Sequence, residues 1–229
     1  MSCWLEQGRD ITVSPQVLDA VSRVLRLNEP ERRHLYVLAG LNPPLPAAVH
    51  TPVSDGLRRL IDSWMPFPAN VLDPYWNNVA VNEAAGLVFG FDEDNDNCLA
   101  GYFLSPIYQA RDASWAANAP HVVAQFRLAV SERPGDLGYQ RIVSELSEQS
   151  PEFAALWARG DVKAGGMIGK EIRHPVVGTL HFESTQLRVP ERPDLTIVLH
   201  NPVPGTDTAQ KLVWLTSPEG RRGTMRPAV

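Results

Sequence analysis

The spacing of apolar residues changes twice along this chain, and the order of those changes limits the fold more than any single motif does. Between Asn70 and Asn82 the text NVLDPYWNNVAVN shortens toward alternation. A turn sits at Asp73-Pro74, and Val79 and Val81 stand between polar neighbours, as in a hairpin. Helical spacing then holds to about Trp157. From Gly165 onward Ile168 and Ile172, Leu180 and Phe182, Leu187 and Val189, and Leu195, Ile197 and Leu199 again alternate with polar residues, as in strands with one face covered. Two strands, a block of helices and about three strands lack the strand-helix alternation of a parallel sheet. The fold class is therefore α+β, an antiparallel sheet with helices on one face.

Helix starts subdivide the chain further. Ser14-Pro15 opens a helix, serine as a cap and proline at a position whose N–H would be wasted, and Val17, Leu18, Val21, Val24 and Leu25 follow at helical spacing. Asn28 caps a second helix, with Glu31 placed for a capping box and Leu35, Leu38 and Ala39 forming an apolar stripe that stops at Gly40. Two helices this short cannot close a core alone. The segment NPPLPAAVHTP carries four prolines, which fix the backbone and interrupt helices, so it reads as a linker. Ser54 or Asp55 begins another helix, Asn82 caps NEAAGLVFG, and Ser105-Pro106 and Ser150-Pro151 start others, while Pro120 is expected to interrupt or restart one. The expected division is a helical segment over 1–41, a linker over 42–53, a main domain over 54–215 and a frayed tail over 216–229.

With 229 residues, 44% of them hydrophobic, the chain can bury a sizeable core, and no apolar run approaches the ~18 residues of a membrane span. Its net charge of −5 opposes nucleic acid, whose binding draws on Lys and Arg neutralising phosphates, so any DNA contact needs a local patch such as Arg23, Arg26, Arg32 and Arg33. Cys3 and Cys98 lie far apart with no CxxC spacing, which points to neither a disulfide framework nor a zinc site and suits a reducing cytoplasm.

Few motifs speak for chemistry. DEDNDN places Asp92, Asp94 and Asp96 like a calcium loop, but Asn97 holds the turn-glycine position and Phe103 that of the closing glutamate. GGMIGK has Ala164 and Glu171 where a phosphate loop needs glycine and a hydroxyl residue. His174, His181 and His200 all fall in the strand region, yet nothing in the spacing makes them converge on a metal. Glu145 and Glu148 read as a wet helix face. We expect no enzyme, no cofactor, no catalytic residue and no metal. Aromatic residues spread over the helical block and the strands, as in a core or around a pocket.

Longer stretches carry a resemblance. WLEQGRDITVSPQVLDAVSRVLRLNEPERRHLYVLAG resembles the end of an XRE-type helix-turn-helix domain. PANVLDPYWNNVAVNEAAGLVFG, NCLAGYFLSP, SELSEQSPEFAALWARGDV and IRHPVVGTLHFES resemble the ligand-binding domain of MmyB-like transcription regulators. The resemblance implies a PAS-like sensor behind a DNA-reading domain, and a small hydrophobic ligand such as a fatty acid. From period and size, Val81, Leu87, Phe103, Trp115, Phe126, Trp157 and Phe182 are the candidate ligand contacts.

Because the family's LEQGR lies at the back of the recognition helix, Arg9 could reach a phosphate, while most base-contacting positions have no counterpart. We therefore expect weak or absent DNA binding by this chain, with DNA a partner of a full-length form and a homodimer as the assembly. The alternative is a dimerisation partner that modulates a full-length relative without binding DNA itself. His174, Pro175 and Gly178 match the family's HP-x-x-G segment, read as a strand corner in preference to a pH switch.

Overall fold

A computed structural model of the chain describes residues 13–41, 52–91, 97–161 and 168–224. The chain divides into two compact units, residues 1–49 and 50–229. Arg9, most of the proline-rich linker and the acidic run 92–96 lie outside the described residues.

The first unit is a helix pair, α1 (Pro15–Val24) and α2 (Glu29–Leu38). Ser14 occupies the cap position, but its hydroxyl makes no capping bond; Pro15, with no N–H to satisfy, opens the helix unaided. At Asn28 the expected capping box forms in both directions, Asn28 Oδ1 accepting from the Glu31 N–H (3.0 Å) and Glu31 Oε2 from the Asn28 N–H (2.8 Å). Tyr36 is buried, its hydroxyl 2.6 Å from Asp19 Oδ1, and Arg32 donates to the same oxygen at 2.8 Å. The tyrosine hydroxyl, then the guanidinium, hold the Asp19 carboxyl below its usual range. Val17, Val24, Leu25, Val37 and Leu38 remain exposed, so the pairing does not use up the apolar stripes.

The second unit begins with α3 (Asp55–Asp62), the hairpin β1 (Ala69–Leu72) and β2 (Asn78–Val81), and α4 (Glu83–Phe89). A helical layer follows: α5 (Cys98–Leu104), α6 (Pro106–Arg111), α7 (Trp115–Ser131), α8 (Leu137–Gln149) and α9 (Pro151–Ala158). The chain then forms β3 (Ile168–His174), β4 (Gly178–Val189), β5 (Arg192–Pro202), α10 (Thr208–Leu215) and α11 (Pro218–Thr224). All strand pairs are antiparallel, in the order β2-β1-β5-β4-β3, so the class is the expected α+β one.

Helices serve both faces of this sheet where the sequence suggested one. Leu195 and Ile197 of β5, with Ala69, Val71 and Ala80, pack against Val53, Leu57 and Ile61 on the α3 side. On the other face Ile172, Leu180 and Phe182 meet Ala85, Val88 and Phe89 of α4 and Leu212 and Leu215 of α10. The central strand decides this: Ile197 and Val198 point to opposite faces and both are buried, so each side needs a cover.

Three other expectations change. Pro120 lies inside α7 without ending it, since a proline in the second turn removes one N–H from a helix that runs on to Ser131. Asn97 starts a helix that the sequence reading missed, its Oδ1 accepting from the Leu99 (3.1 Å) and Ala100 (3.0 Å) N–H groups. Residues 218–224, read as part of a frayed tail, form α11. Gly220 permits this, because a Cβ there would come within 2.7 Å of Leu215 Cα, and Arg221 grips both oxygens of Glu83 at 2.6 and 2.7 Å.

The β1–β2 turn ties the helical layer to the sheet. Trp76 stands at φ 67°, a left-handed conformation that costs a non-glycine residue of order 1 kcal/mol or more and persists only where neighbours impose it. Asp73 Oδ1 accepts from the Tyr75 (2.8 Å) and Asn77 (2.9 Å) N–H groups. Asn97 Nδ2 donates to the Tyr75 carbonyl (2.7 Å), the Cys98 N–H to the Trp76 carbonyl (2.8 Å) and the Tyr139 hydroxyl to the Pro74 carbonyl (2.7 Å). The Trp76 ring then meets Phe126 edge-on at 5.3 Å.

Candidate functional site

Four strands each place one polar side chain in a row across the sheet: Asn78 of β2, Asn70 of β1, His200 of β5 and Ser184 of β4. Asn78, Asn70 and His200 are between 1% and 2% exposed, depths at which a polar group must be hydrogen-bonded or costs free energy. The bonds run in one direction. Asn70 Oδ1 can only accept, so His200 Nε2, 3.2 Å away, carries the proton and Nδ1 accepts from the Ser184 hydroxyl at 2.8 Å. Asn70 Nδ2 donates onward to Asn78 Oδ1 at 2.6 Å. Asn78 Nδ2 ends the row, shielded and without a partner.

Apolar rings flank this row. Phe89 of α4 lies 4.6 Å from the His200 ring and 5.6 Å from Phe182, and Lys170 Nζ sits 5.3 Å from the Phe89 centroid. Burial first, and the Lys170 charge second, push the His200 pKa well below its ordinary value, so the imidazole is neutral. His174 is also pushed down, chiefly by burial. Its Nε2 donates to the Leu87 carbonyl (3.1 Å) and its Nδ1 accepts from the Val176 N–H (3.2 Å), fastening the β3–β4 corner to α4 as the corner reading supposed.

Both histidines resist a proton that the unfolded chain accepts near pH 6.5. Their contribution is complete above that pH and is lost as pH falls toward the lower folded values, by up to about 1.4 kcal/mol per pH unit for each group. The thermal midpoint should therefore fall as pH drops from about 7.5 to about 5. His200→Gln should start lower and fall less steeply. A midpoint flat across that range would contradict the buried neutral assignment.

The candidate ligand contacts fall into two groups. Val81, Leu87 and Phe182 belong to the cluster over β3 and β4 beside His200, with Val81 and Leu87 only partly buried. Phe103, Trp115, Phe126 and Trp157 lie in the helical layer, where Phe103 meets Trp115 (6.1 Å) and Phe153 (5.3 Å), and Trp157 stacks on Phe153 (5.7 Å) and approaches Phe126 (6.2 Å). Trp115 spends its indole N–H on the Tyr102 carbonyl, while the Tyr102 hydroxyl donates to the Trp115 carbonyl, both at 2.8 Å. Among the described residues no ring contact joins the two groups.

His174, His181 and His200 do not converge either. His181 alternates with Leu180 and Phe182 and so points to the opposite face from His200. The Asn70, Asn78 and Ser184 members of the row escaped the sequence reading, because a polar residue in an alternating strand is assigned to solvent. Their signal was an asparagine at each end of the short hairpin.

The architecture is an antiparallel sheet with a directional polar row on one face, flanked by an apolar cluster and joined to an aromatic helical layer. Residues 53–215 match the MmyB-like transcription regulator ligand binding domain, and the chain belongs to that family. Among curated proteins, none matches it. Family membership supports transcription regulation with small-molecule sensing and a non-enzymatic role. No helix among the described residues is long and apolar enough to cross a membrane.

Proposed function

We propose that this chain is a ligand-sensing transcription regulator whose second unit takes a small hydrophobic molecule, a fatty acid or a derivative of one. The family match over residues 53–215 carries the reading. The half-buried Val81 and Leu87 beside Phe89 and Phe182 support an apolar guest, and the polar row beside them supports a guest with one hydrogen-bonding end. Weak or absent operator binding by this chain alone is part of the proposal: net charge is −5 and Arg32 is neutralised by Asp19. Arg9 would at most add a phosphate contact.

Mass spectrometry of solvent extracts from purified protein should find a co-purified apolar compound. A saturating long-chain fatty acid at about 100 times its Kd should stabilise the fold by about 2.7 kcal/mol. An empty extract together with an unmoved melting midpoint would sink the reading. A second reading, a dimerisation partner for a full-length relative, draws on the exposed Val24, Leu25, Val37 and Leu38 of the first unit. Homodimerisation would use the same surface. Sedimentation showing a monomer, alone and mixed with a relative, would remove both.

A further inference from the structure

We infer that Asn78 is the anchor for the polar end of the ligand, and that this end is an uncharged hydrogen-bond acceptor, such as the carbonyl of an ester, amide or ketone, in preference to a free carboxylate. The inference rests on the sensor reading above and names the chemistry of its ligand. Asn78 Nδ2 is a fully shielded donor with no partner, a state that costs more than a typical hydrogen bond returns, so an acceptor placed there is bound with gain.

The rest of the row opposes turning the Asn78 amide over by itself, since that would set its Nδ2 against Asn70 Nδ2. Asn78 Oδ1 is held by Asn70 Nδ2, and Asn70 is held by the Nε2–H of a neutral His200 whose Nδ1 is taken by Ser184. In this arrangement every upstream bond points the same way and the terminus presents N–H. Charge then selects among acceptors. An ionised carboxylate loses its hydration on burial and needs a counter-ion in return. The cation that acts on His200 is Lys170, on β3 at the far edge of the sheet, four strand spacings from β2, or about 19 Å. Its Nζ reaches back only as far as the Phe89 ring, 5.3 Å from the centroid, beside His200 on the central strand. Next to the anchor the pairing partners are apolar, Leu72 opposite Asn78 and Val81 opposite Asn70, which suits the hydrocarbon part of the same molecule.

The test compares a long-chain methyl ester, the free fatty acid and the alkane of equal chain length by calorimetric titration at neutral pH. On the wild-type protein the ester should bind about tenfold more tightly than the alkane, the worth of one buried hydrogen bond, and more tightly than the acid. Asn78→Leu should keep alkane binding and lose the ester's advantage.

Because Asn78→Leu also strips Asn70 Nδ2 of its acceptor, a second measurement uses the wild-type chain with labelled asparagine. The Asn78 carboxamide proton resonance should move on adding ester and stay put on adding alkane. Tighter binding of the acid, an ester-to-alkane ratio unchanged in Asn78→Leu, or an unmoved carboxamide signal, as for an amide served by water alone, would each overturn the anchor. If the ester, acid and alkane all fail to bind wild-type protein, the sensor reading falls with it; if they bind without discrimination, only the anchor does.

Discussion

Asn82→Ala is expected to lower the unfolding free energy by about 3–5 kcal/mol, the largest loss from any single polar side chain in the second unit. Asn82 is 1% exposed and uses its whole amide. Oδ1 accepts from the Ala85 N–H at the start of α4 and from the Ala69 N–H of β1, both at 3.0 Å. Nδ2 donates to the Ile61 carbonyl (3.0 Å) at the end of α3 and to the Phe67 carbonyl (2.9 Å) ahead of β1. Helix capping accounts for ~1 kcal/mol of this, and each buried group left without a partner adds about 1–3. Asn82→Asp should fare little better, since it keeps the acceptor but turns a carboxylate toward two carbonyl oxygens. Urea unfolding measures both variants. A loss under about 1 kcal/mol would mean that water or a local shift replaces these bonds.

Phe126→Ala should cost about 3–5 kcal/mol before any ligand is added, the range for a large aromatic removed from a close-packed interior. The ring is fully buried and touches Trp76 (5.3 Å), Tyr139 (5.7 Å) and Trp157 (6.2 Å), so it joins α7 to the β1–β2 turn, α8 and α9. Sequence reasoning grouped it with the ligand contacts, and the two roles separate on measurement. Leu87→Ala, at a half-buried position, should cost less stability and more affinity for an apolar probe. Equal stability losses from the two variants, with affinity lost only in Phe126→Ala, would reverse the assignment.

Several elements were legible because a local rule and the tertiary structure agree. Asn28 with Glu31, and Asn82 ahead of α4, are caps whose partners lie within a few residues, and DPYWNN is a turn whose aspartate bonds its own neighbours. α5 was hidden because Asn97 ends an acidic run that looked like one continuous loop. The three later strands were legible by the same alternation, and in β4 only the facing changes along the strand: Leu180 and Phe182 face α4 and α10, while Leu187 and Val189 have the opposite parity and point to the α3 face. All seven candidate contacts were chosen from period and size; the structure puts Val81, Leu87 and Phe182 in one cluster and packs Phe103, Trp115, Phe126 and Trp157 among other rings, a difference that period and size do not encode.

Apart from α5, α10 and α11, the types of the main elements and their order were settled by the amino-acid sequence itself, because hydrophobic period and caps act over a few residues and need no partner from elsewhere. Which polar side chains are buried was settled by tertiary structure alone. Asn70, Asn78, Ser184 and His200 come from strands up to 130 positions apart, and only strand order and register bring them into hydrogen-bonding distance. Until the sheet assembles, each belongs equally well to water.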